Sequence, residues 1–495
     1  MKLKKQLQEI PNWLKLFALF LFSLTFIDIF WGKAFFQPLD ARTGSAYEGV
    51  HLSLSWWLSW LEPLTAPLHI ISTLPDIREG MVAILLWFFL GIFIHAFYNI
   101  KKQYGIKKTV ITSSKILAWF IYLLIFYLLI PLPNPSLNKE KKSLIIADLH
   151  SHNLLSHDGV VTLKDNLSIH QQRGYNLVAL TNHANLEKAV IDYQPAYANS
   201  PEAVPGMEIP VYYGGHFYLS VLGMEKGTPL PNGLAWYEGN KTPFPPASLP
   251  DHLWSVKKLI GVIHKHGGVV AVVAFHLDSK EVKGLADAGV DAFEIVNFGH
   301  HSLHQDVRQA MLQAQKERGI ALIASNDWHG WTGVLNTWTL IQADPLLKDE
   351  SLEVQVMDAL KHHGQKVIPL TAYPIHNMTI QEMIFAPLIA LYQYAKTISI
   401  PQLLSLWIYF FVFILLEKYW RCQRMTLIQV IQHTLLIAMS SAILWHGIEL
   451  YQAWLSSAIR PPLAWQISLY SMAVGGLVLL FEGYHLGWRL MFKQA

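Results

Sequence analysis

Six long apolar runs flank a central stretch in which hydrophobic residues come in short bursts. Leu14 to Phe30, Met81 to Tyr98 and Ile116 to Leu132 lie before that stretch; Leu403 to Leu416, Leu427 to Trp445 and Ala464 to Phe481 lie after it. A helix crosses the hydrocarbon core of a bilayer with roughly 20 apolar residues. The runs therefore predict spans near 14–31, 81–98, 116–132, 403–417, 427–446 and 464–482, the fourth short enough to need its flanking residues. Asp28 sits near the end of the first run, where a carboxylate reaches the interface. Met383 to Ala395 is too short to cross and reads as interfacial. His51 to Leu61 sets Trp56, Trp57 and Trp60 among Leu and Ser before Pro63 and Pro67 interrupt. That suits a helix in the interfacial belt or a re-entrant segment.

From Ser143 to about Thr371 the short apolar runs alternate with amphipathic helical patterns that have recognisable ends. Thr162 to Arg173 closes at Gly174, His304 to Arg318 at Gly319, and Ser351 to His363 at Gly364. Asp251 caps a helix whose Leu253, Val256, Leu259, Ile260 and Ile263 form one face, ending at Gly267-Gly268. The pattern predicts a barrel-like α/β domain over 143–372, inserted between transmembrane regions 1–135 and 373–495.

Composition agrees with membrane flanks. Hydrophobic residues make up 52% of the 495 and charged residues only 15%, with 18 Trp, which is too apolar for an ordinary soluble enzyme. A net charge of +3 does not argue for nucleic acid, and a lone Cys422 excludes an internal disulfide framework. Lys2, Lys4 and Lys5 precede the first run and no small-x-small site follows it, so it reads as an uncleaved signal anchor. With the amino terminus inside, short inner segments hold 13 basic residues against 8 on the longer outer connections. Lys139, Lys141 and Lys142 are a mild dissent. The expectation is a multi-pass protein of the cell inner membrane, with the α/β domain extracytoplasmic and both termini cytoplasmic.

Histidine is the unusual entry in that composition. Sixteen of 23 fall between Ser143 and Thr371. In SLIIADLHSHNLLSHDG (143–159) a strand-like run ends in His150 and His152, which project together if the strand continues, with Asp158 six residues on. Two imidazoles so placed are what a borderline-soft divalent metal needs from its first two ligands. Other runs end alike: Leu177 to Leu180 leads to His183, Val269 to Phe275 to His276, and Ile320 to Ala324 to Asp327 and His329. Ala292 to Val296 contains Glu294 and leads to Asn297, while Glu208 has His216 eight residues on. In α/β sheets chemistry collects beyond the carboxyl ends of the strands, so His, Asp and Glu gathered there point to a metal site. His264 and His266 read as the polar end of a helix, and His157, His170, His252, His362 and His363 as ordinary histidines. His300, His301 and His304 either face solvent or line the mouth.

The ordered set DLHSHNLLSHDG, ALTNHANL, GME, GGVVAVVAFH, AFEIVN and ASNDWHG resembles the PHP family, the polymerase and histidinol phosphatase superfamily of metal-dependent phosphoesterases. The resemblance covers about 230 residues, the central insert. It implies a distorted seven-stranded β/α barrel, (β/α)7, with two or three divalent ions, Mn, Zn or Fe, at its carboxyl-end mouth. By that resemblance His150, His152, Glu208 and Asp327 hold one ion; Glu208 bridges to a second with His216 and His276; Asp158, His183 and His329 hold a third. His157 competes with Asp158. Asn182 stands where Asp is common, Leu277 replaces a usual Pro, and Asn326 precedes Asp327; none of these removes a direct ligand.

The implied reaction is phosphoester hydrolysis by a metal-activated hydroxide, with Glu208, Asp327 and His329 as the residues on which catalysis turns. A proton for the leaving alcohol comes from metal-bound water or a nearby His. The substrate expected is a phosphorylated small molecule or a lipid-linked one held near the bilayer. Amide or carbamate hydrolysis on the same site is the rival chemistry. A metal- or ligand-binding sensor or transporter is the rival class, for which His433 is the clearest polar residue inside a span, with Glu482 and His485 near an end.

Overall fold

The computed structural model describes residues 12–31, 37–102, 105–132, 134–183, 200–213, 215–224, 252–273, 277–299, 302–419, 427–457 and 460–492. Helix α1 (Asn12–Trp31) is followed by β1 (Leu39–Asp40), β2 (Val50–Ser53), α2 (Glu62–Ser72), α3 (Ile77–Lys101), α4 (Ile106–Leu129) and β3 (Ser136–Lys139). The central elements are β4 (Leu144–Ser151), α5 (Leu163–Gln172), β5 (Leu177–Leu180), β6 (Glu202–Tyr213), β7 (Gly215–Leu222), α6 (His252–Lys265), β8 (Val269–Val273), α7 (Ser279–Ala288), β9 (Ala292–Asn297), α8 (Gln305–Arg318), β10 (Ala321–Ser325), β11 (Thr337–Gln342), α9 (Leu352–His362) and β12 (Val367–Thr371). Helices α10 (Ile380–Thr397), α11 (Ile400–Tyr419), α12 (Leu427–Ser456) and α13 (Pro462–Phe492) complete the chain.

One mixed ten-stranded sheet, in the order β1-β12-β11-β4-β5-β6-β7-β8-β9-β10, curls into a half-barrel. The parallel runs β4-β5-β6 and β8-β9-β10 fit the strand–helix alternation, but β7 lies antiparallel to both β6 and β8. Curling brings the end of β10 against β4, where the Asp327 N–H donates to the His150 carbonyl (3.0 Å) and the His152 N–H to that of Trp328 (2.9 Å). Small residues permit the tight curl: Ala147, Ala179, Ala271, Ala292 and Ala321 share one inner cluster with Ile145, Leu149 and the helix residues Val356 and Leu360. Helices α6, α7 and α8 cover the outer face of β6 to β10 through Ile260, Leu285 and Met311. Helix α5 and the β2–β3 pair cover β4, β5, β11 and β12 through Leu167, Leu52 and Leu137.

Among the described residues, four helices are long and apolar enough to cross a membrane: Ile77–Lys101, Ile106–Leu129, Gln429–Ser456 and Pro462–Tyr484. They coincide with the second, third and last two apolar runs. The fourth run is not a separate straight helix; it is one limb of the pair Ile380–Thr397 and Ile400–Leu416, bent by 110°, which makes a fifth crossing if counted as one. The helix breaks at Ile398, which is extended, just before Pro401. Ser399 restarts it, both its N–H and its hydroxyl donating to Gln402 Oε1 (2.9 and 2.7 Å). The Trp-rich stretch also departs from expectation. Residues 50–53 are strand, a short 3-10 helix covers Leu58–Leu61, and the α-helix begins at Glu62, where Pro63 falls in the first turn and costs no hydrogen bond.

Polar groups fasten these helices. Glu62 is fully buried and accepts hydrogen bonds from Tyr394 Oη (2.6 Å) and Gln402 Nε2 (2.6 Å), with His69 Nδ1 at 3.1 Å, thereby joining α2 to both limbs of the bent pair. His433 of α12 pairs with Glu482 of α13, a partnership that their separate positions in the sequence do not announce. These two helices approach closely at Gly447 and Gly475, where an added Cβ would meet Met472 N at 2.9 Å and Leu444 N at 2.7 Å.

The central domain is clamped to the end of α4 by Arg173, only 2% exposed. Its guanidinium donates to the carbonyls of Asn134 (2.8 Å), Leu132 (2.7 Å) and Gly333 (2.8 Å). Replacing Arg173 by Ala strands three buried acceptors and should destabilise the full chain by about 3 kcal/mol or more. A lowered melting temperature of the detergent-solubilised protein checks this.

Candidate metal centre

Strict alternation along β4 would place His150 beside Leu144 and Ile146, which belong to the outer cluster. The register instead slips between Asp148 and Ser151, where β4 spends three steps against two of β5. This bulge reverses the phase and turns His150 and His152 toward the mouth. Asp148 holds the bulge. One of its carboxylate oxygens accepts from the His150 N–H (3.2 Å), and the other from Asn326 Nδ2 (2.7 Å) and stands 2.9 Å from His170 Nε2.

Two interlocking sets of ligand-type atoms result, each with its atoms within 4.8 Å of one another. His150, His152, Glu208 and Asp327 form a fully buried set; His152, Asp158, His183 and His329 form a second that reaches the surface. The Nε2 atoms of His150 and His152 are 3.0 Å apart. Glu208 Oε2 lies 3.2, 3.4 and 3.1 Å from the Nε2 atoms of His150, His152 and His183, and Asp327 Oδ1 is 3.1 Å from that of His152. Asp158 Oδ2 is 3.1 Å from His329 Nε2. Donor atoms about 3 Å apart are the edges of a shell with bonds near 2.1 Å, so the residues fit divalent ions in spacing as well as type.

Neighbouring groups orient these donors. Glu294 Oε1 lies 2.8 Å from His150 Nδ1, which leaves Nε2 facing the centre, and Asn297 Nδ2 donates to Glu294 Oε2 (2.9 Å) and Asp327 Oδ2 (3.3 Å). Asp327 has φ of +50°, a left-handed conformation for a residue with a side chain, fixed by its N–H bond to β4. Asn182 accepts from the Asn153 N–H (2.9 Å), so the amide found where Asp is common pins the loop carrying Asp158.

Burial and charge divide the imidazoles. Burial, then the charge of His329, pushes His152 down to about 3, leaving it the neutral ring a metal takes. Burial would also lower His150, but Asp327, Glu294 and Glu208 together hold it well above its ordinary range. Burial is likewise overcome at His329, raised to about 9 by its bond to Asp158 and the charge of Asp327. Asp158 is held well below the usual carboxylate range despite burial, because of His329 and His183.

Seven of the nine sequence-predicted ligands therefore stand together: His150, His152, Asp158, His183, Glu208, Asp327 and His329. The His216 backbone pairs with Tyr212 in the β6–β7 ladder; its side chain, and the whole of His276, lie outside the described residues, as do His300 and His301. His157 points outward, 69% exposed, 4.0 Å from Asp158. Asp148, His170 and Glu294 were not among the predicted ligands. A lone Glu in the apolar run AFEIVN was the available signal for the last; His170 had only its helical neighbours.

The loops bearing the outer set rest on the apolar helices. Leu154 and Val160 pack with Leu450 and Ala464. The Thr332 N–H donates to the Leu128 carbonyl (2.8 Å), and an added Cβ at Gly333 would meet the Leu132 carbonyl at 2.9 Å.

No family model matches the chain, and no curated protein matches it. Solved structures similar to it include a protein assigned as a metal-dependent phosphoesterase from Bifidobacterium adolescentis, at 14% identity over 38% of this chain and 88% of that one, with a TM-score of 0.29. An amidohydrolase from Chromobacterium violaceum matches at 17% identity over 37% and 87%, TM-score 0.27. PsfC from Pseudomonas syringae matches at 15% identity over 50% and 96%, TM-score 0.29.

Two outcomes follow from the geometry. An added Cβ on Gly159 would sit 2.0 Å from the Asn153 carbonyl, so Gly159→Ala must displace Asp158 while sparing the buried set. Elemental analysis should find fewer ions per chain than in the wild type. Raised His329 favours the metal-free fold below its ordinary value near 6.5, and that contribution is lost as pH rises through about 9. Ion binding must displace the same proton, so metal affinity should climb between those limits by up to about tenfold per pH unit, with proton release measurable by titration calorimetry in two buffers.

Proposed function

We propose that this chain is a membrane-anchored, metal-dependent hydrolase of the PHP type that cleaves a phosphoester. The observation that carries the reading is the pair of interlocking His/Asp/Glu sets sharing His152 at the strand ends, one buried and one open to the surface. His150, His152, Glu208 and Asp327 would hold one ion; Asp158, His183 and His329, with His152 between the sets, would hold another. Divalent ions of Mn, Zn or Fe type, when bound, supply Lewis acidity that acidifies water and offsets charge on a phosphoryl group.

The protein's own residues supply the rest. Glu294 and Asn297 hold His150 and Asp327 in place before substrate arrives, so little reorganisation accompanies reaction. The buried set keeps water out on one side, while side-chain exposures of 29%, 17% and 20% at Asp158, His183 and His329 mark where substrate enters. His157 stands at that rim outside both sets and is placed to give a proton to the leaving alcohol.

In this reading the domain lies outside the cytoplasm with both termini inside, as the basic-residue bias favours. A lipid-linked phosphoester suits a mouth whose loops rest on apolar helices through Leu154, Val160 and Trp331. Full-length protein loaded with Mn or Zn should release alcohol or phosphate from a generic phosphomonoester or diester. Asp327→Asn should reduce turnover by a hundredfold or more, on the order of losing one key electrostatic group, while the protein stays folded by circular dichroism. Cleavage of amides but not of phosphoesters would replace this reading by the amidohydrolase one; metal binding without hydrolysis of either would overturn it.

A further inference from the structure

Behind the metal centre lies a cavity of about 500 Å³ that neither set of metal ligands enters. One wall is Glu294 to Asn297 of β9, another the α8 face bearing Gln305, Arg308 and Gln309, and the segments around Arg42 and His376 close it. It therefore touches the centre through the residues that orient it, since Glu294 contacts His150 and Asn297 donates to Asp327. Its size suits a small phosphorylated metabolite.

The lining carries two guanidinium groups, Arg42 and Arg308, against a single carboxylate, Glu294. Arg42 is paired with Asp40 (2.7 Å), and Glu294 is engaged by His150 and Asn297. Arg308, by contrast, has no ion pair among the described residues; its guanidinium donates to the Ala41 carbonyl and keeps further N–H groups for another acceptor. A half-buried guanidinium whose one nearby carboxylate, Asp40, is already paired with Arg42 leaves this lining short of negative charge and suits an oxyanion.

We infer that this cavity is an oxyanion subsite that takes a phosphate group, held by Arg308, one residue layer from the metal centre. Arg42 follows β1 and His376 follows β12, the paired strands at one edge of the sheet, so segments far apart in the chain contribute to the subsite. The phosphate is either free inorganic phosphate or the phosphate group of a larger molecule.

The test needs no turnover, and so stands or falls apart from the hydrolase reading. Full-length protein in detergent, dialysed against a chelator so that no ion can bridge to phosphate, is titrated calorimetrically with inorganic phosphate and separately with glycerol 3-phosphate. Saturable binding is expected, weakened at least about tenfold in Arg308→Gln, the loss expected for a charged hydrogen bond, and partly restored in Arg308→Lys. Tighter binding of inorganic phosphate would assign the subsite to the free ion, and tighter binding of glycerol 3-phosphate to a phosphorylated metabolite. Equal affinity in wild type and a folded Arg308→Gln, or no saturable binding of either probe, would overturn the proposal.

Discussion

The extra residue that β4 inserts between Asp148 and Ser151 is the constraint on which the centre depends. Without that slip, His150 would share the outer face with Ile146 and could not meet Glu294. A bulge interrupts a ladder and leaves backbone polar groups to be satisfied locally. Here Asp148 takes the His150 N–H, and β4 finds its remaining partners in the segment after β10, through Asp327 and Trp328. The bulge and the curl of the sheet are thus one arrangement: the backbone freed by the first is bonded through the second. The left-handed Asp327 is a consequence of the same joint.

Electrostatics gives the centre two unlike halves. In the buried set, carboxylates around His150 hold a proton on it, whereas His152, shared by both sets, is kept neutral by burial and by the charge of His329. The outer set draws its cohesion from Asp158 and His329, each shifting the other toward its charged form. Three carboxylates gathered with four imidazoles are a costly arrangement for a buried space unless something neutralises them, and protons do so where cations are not bound. That exchange of protons for cations ties metal occupancy to pH without any moving part.

Much of this was legible because strand ends and ligand types recur together in the sequence. His183, Asp327 and His329 each follow an apolar run, and the helices ending at Gly174, Gly267, Gly319 and Gly364 appear where their stop signals stand. Alternation correctly paired His150 with His152 but could not show a bulge, because nothing in ADLHSH distinguishes a regular strand from one with an extra residue. The antiparallel β6–β7 pair did carry a signal, Gly214-Gly215 between two runs whose alternate residues Met207, Ile209, Val211 and Phe217, Leu219, Val221 are apolar, but strand–helix alternation elsewhere led to an all-parallel expectation. In the flanks, run length found the long helices. The 110° break could not be read from hydropathy, since both its limbs are apolar and only Pro401 and the Ser399–Gln402 cap mark it. Glu62, a carboxylate beside a Trp-rich stretch, gained its meaning only when Tyr394 and Gln402 arrived from more than 330 positions away.

The small β1 strand has a consequence for how the molecule is made. Leu39 and Asp40 pair with Thr371 and Leu370, so this edge waits for a strand emerging some 330 residues later in synthesis. β2 waits as well, though only until β3. Contacts so distant in sequence carry a loop-closure cost and form late. The Arg42 wall of the cavity beside β9, with the Ala41 carbonyl that Arg308 grips, belongs to that late edge. A chain interrupted before β12 could complete most of the sheet and the strand ends through His329, yet would leave that cavity without the His376 segment and without the strand that fixes its Arg42 wall. Maturation of the centre and maturation of its neighbouring pocket are therefore separate events, ordered by the direction in which the chain is synthesised.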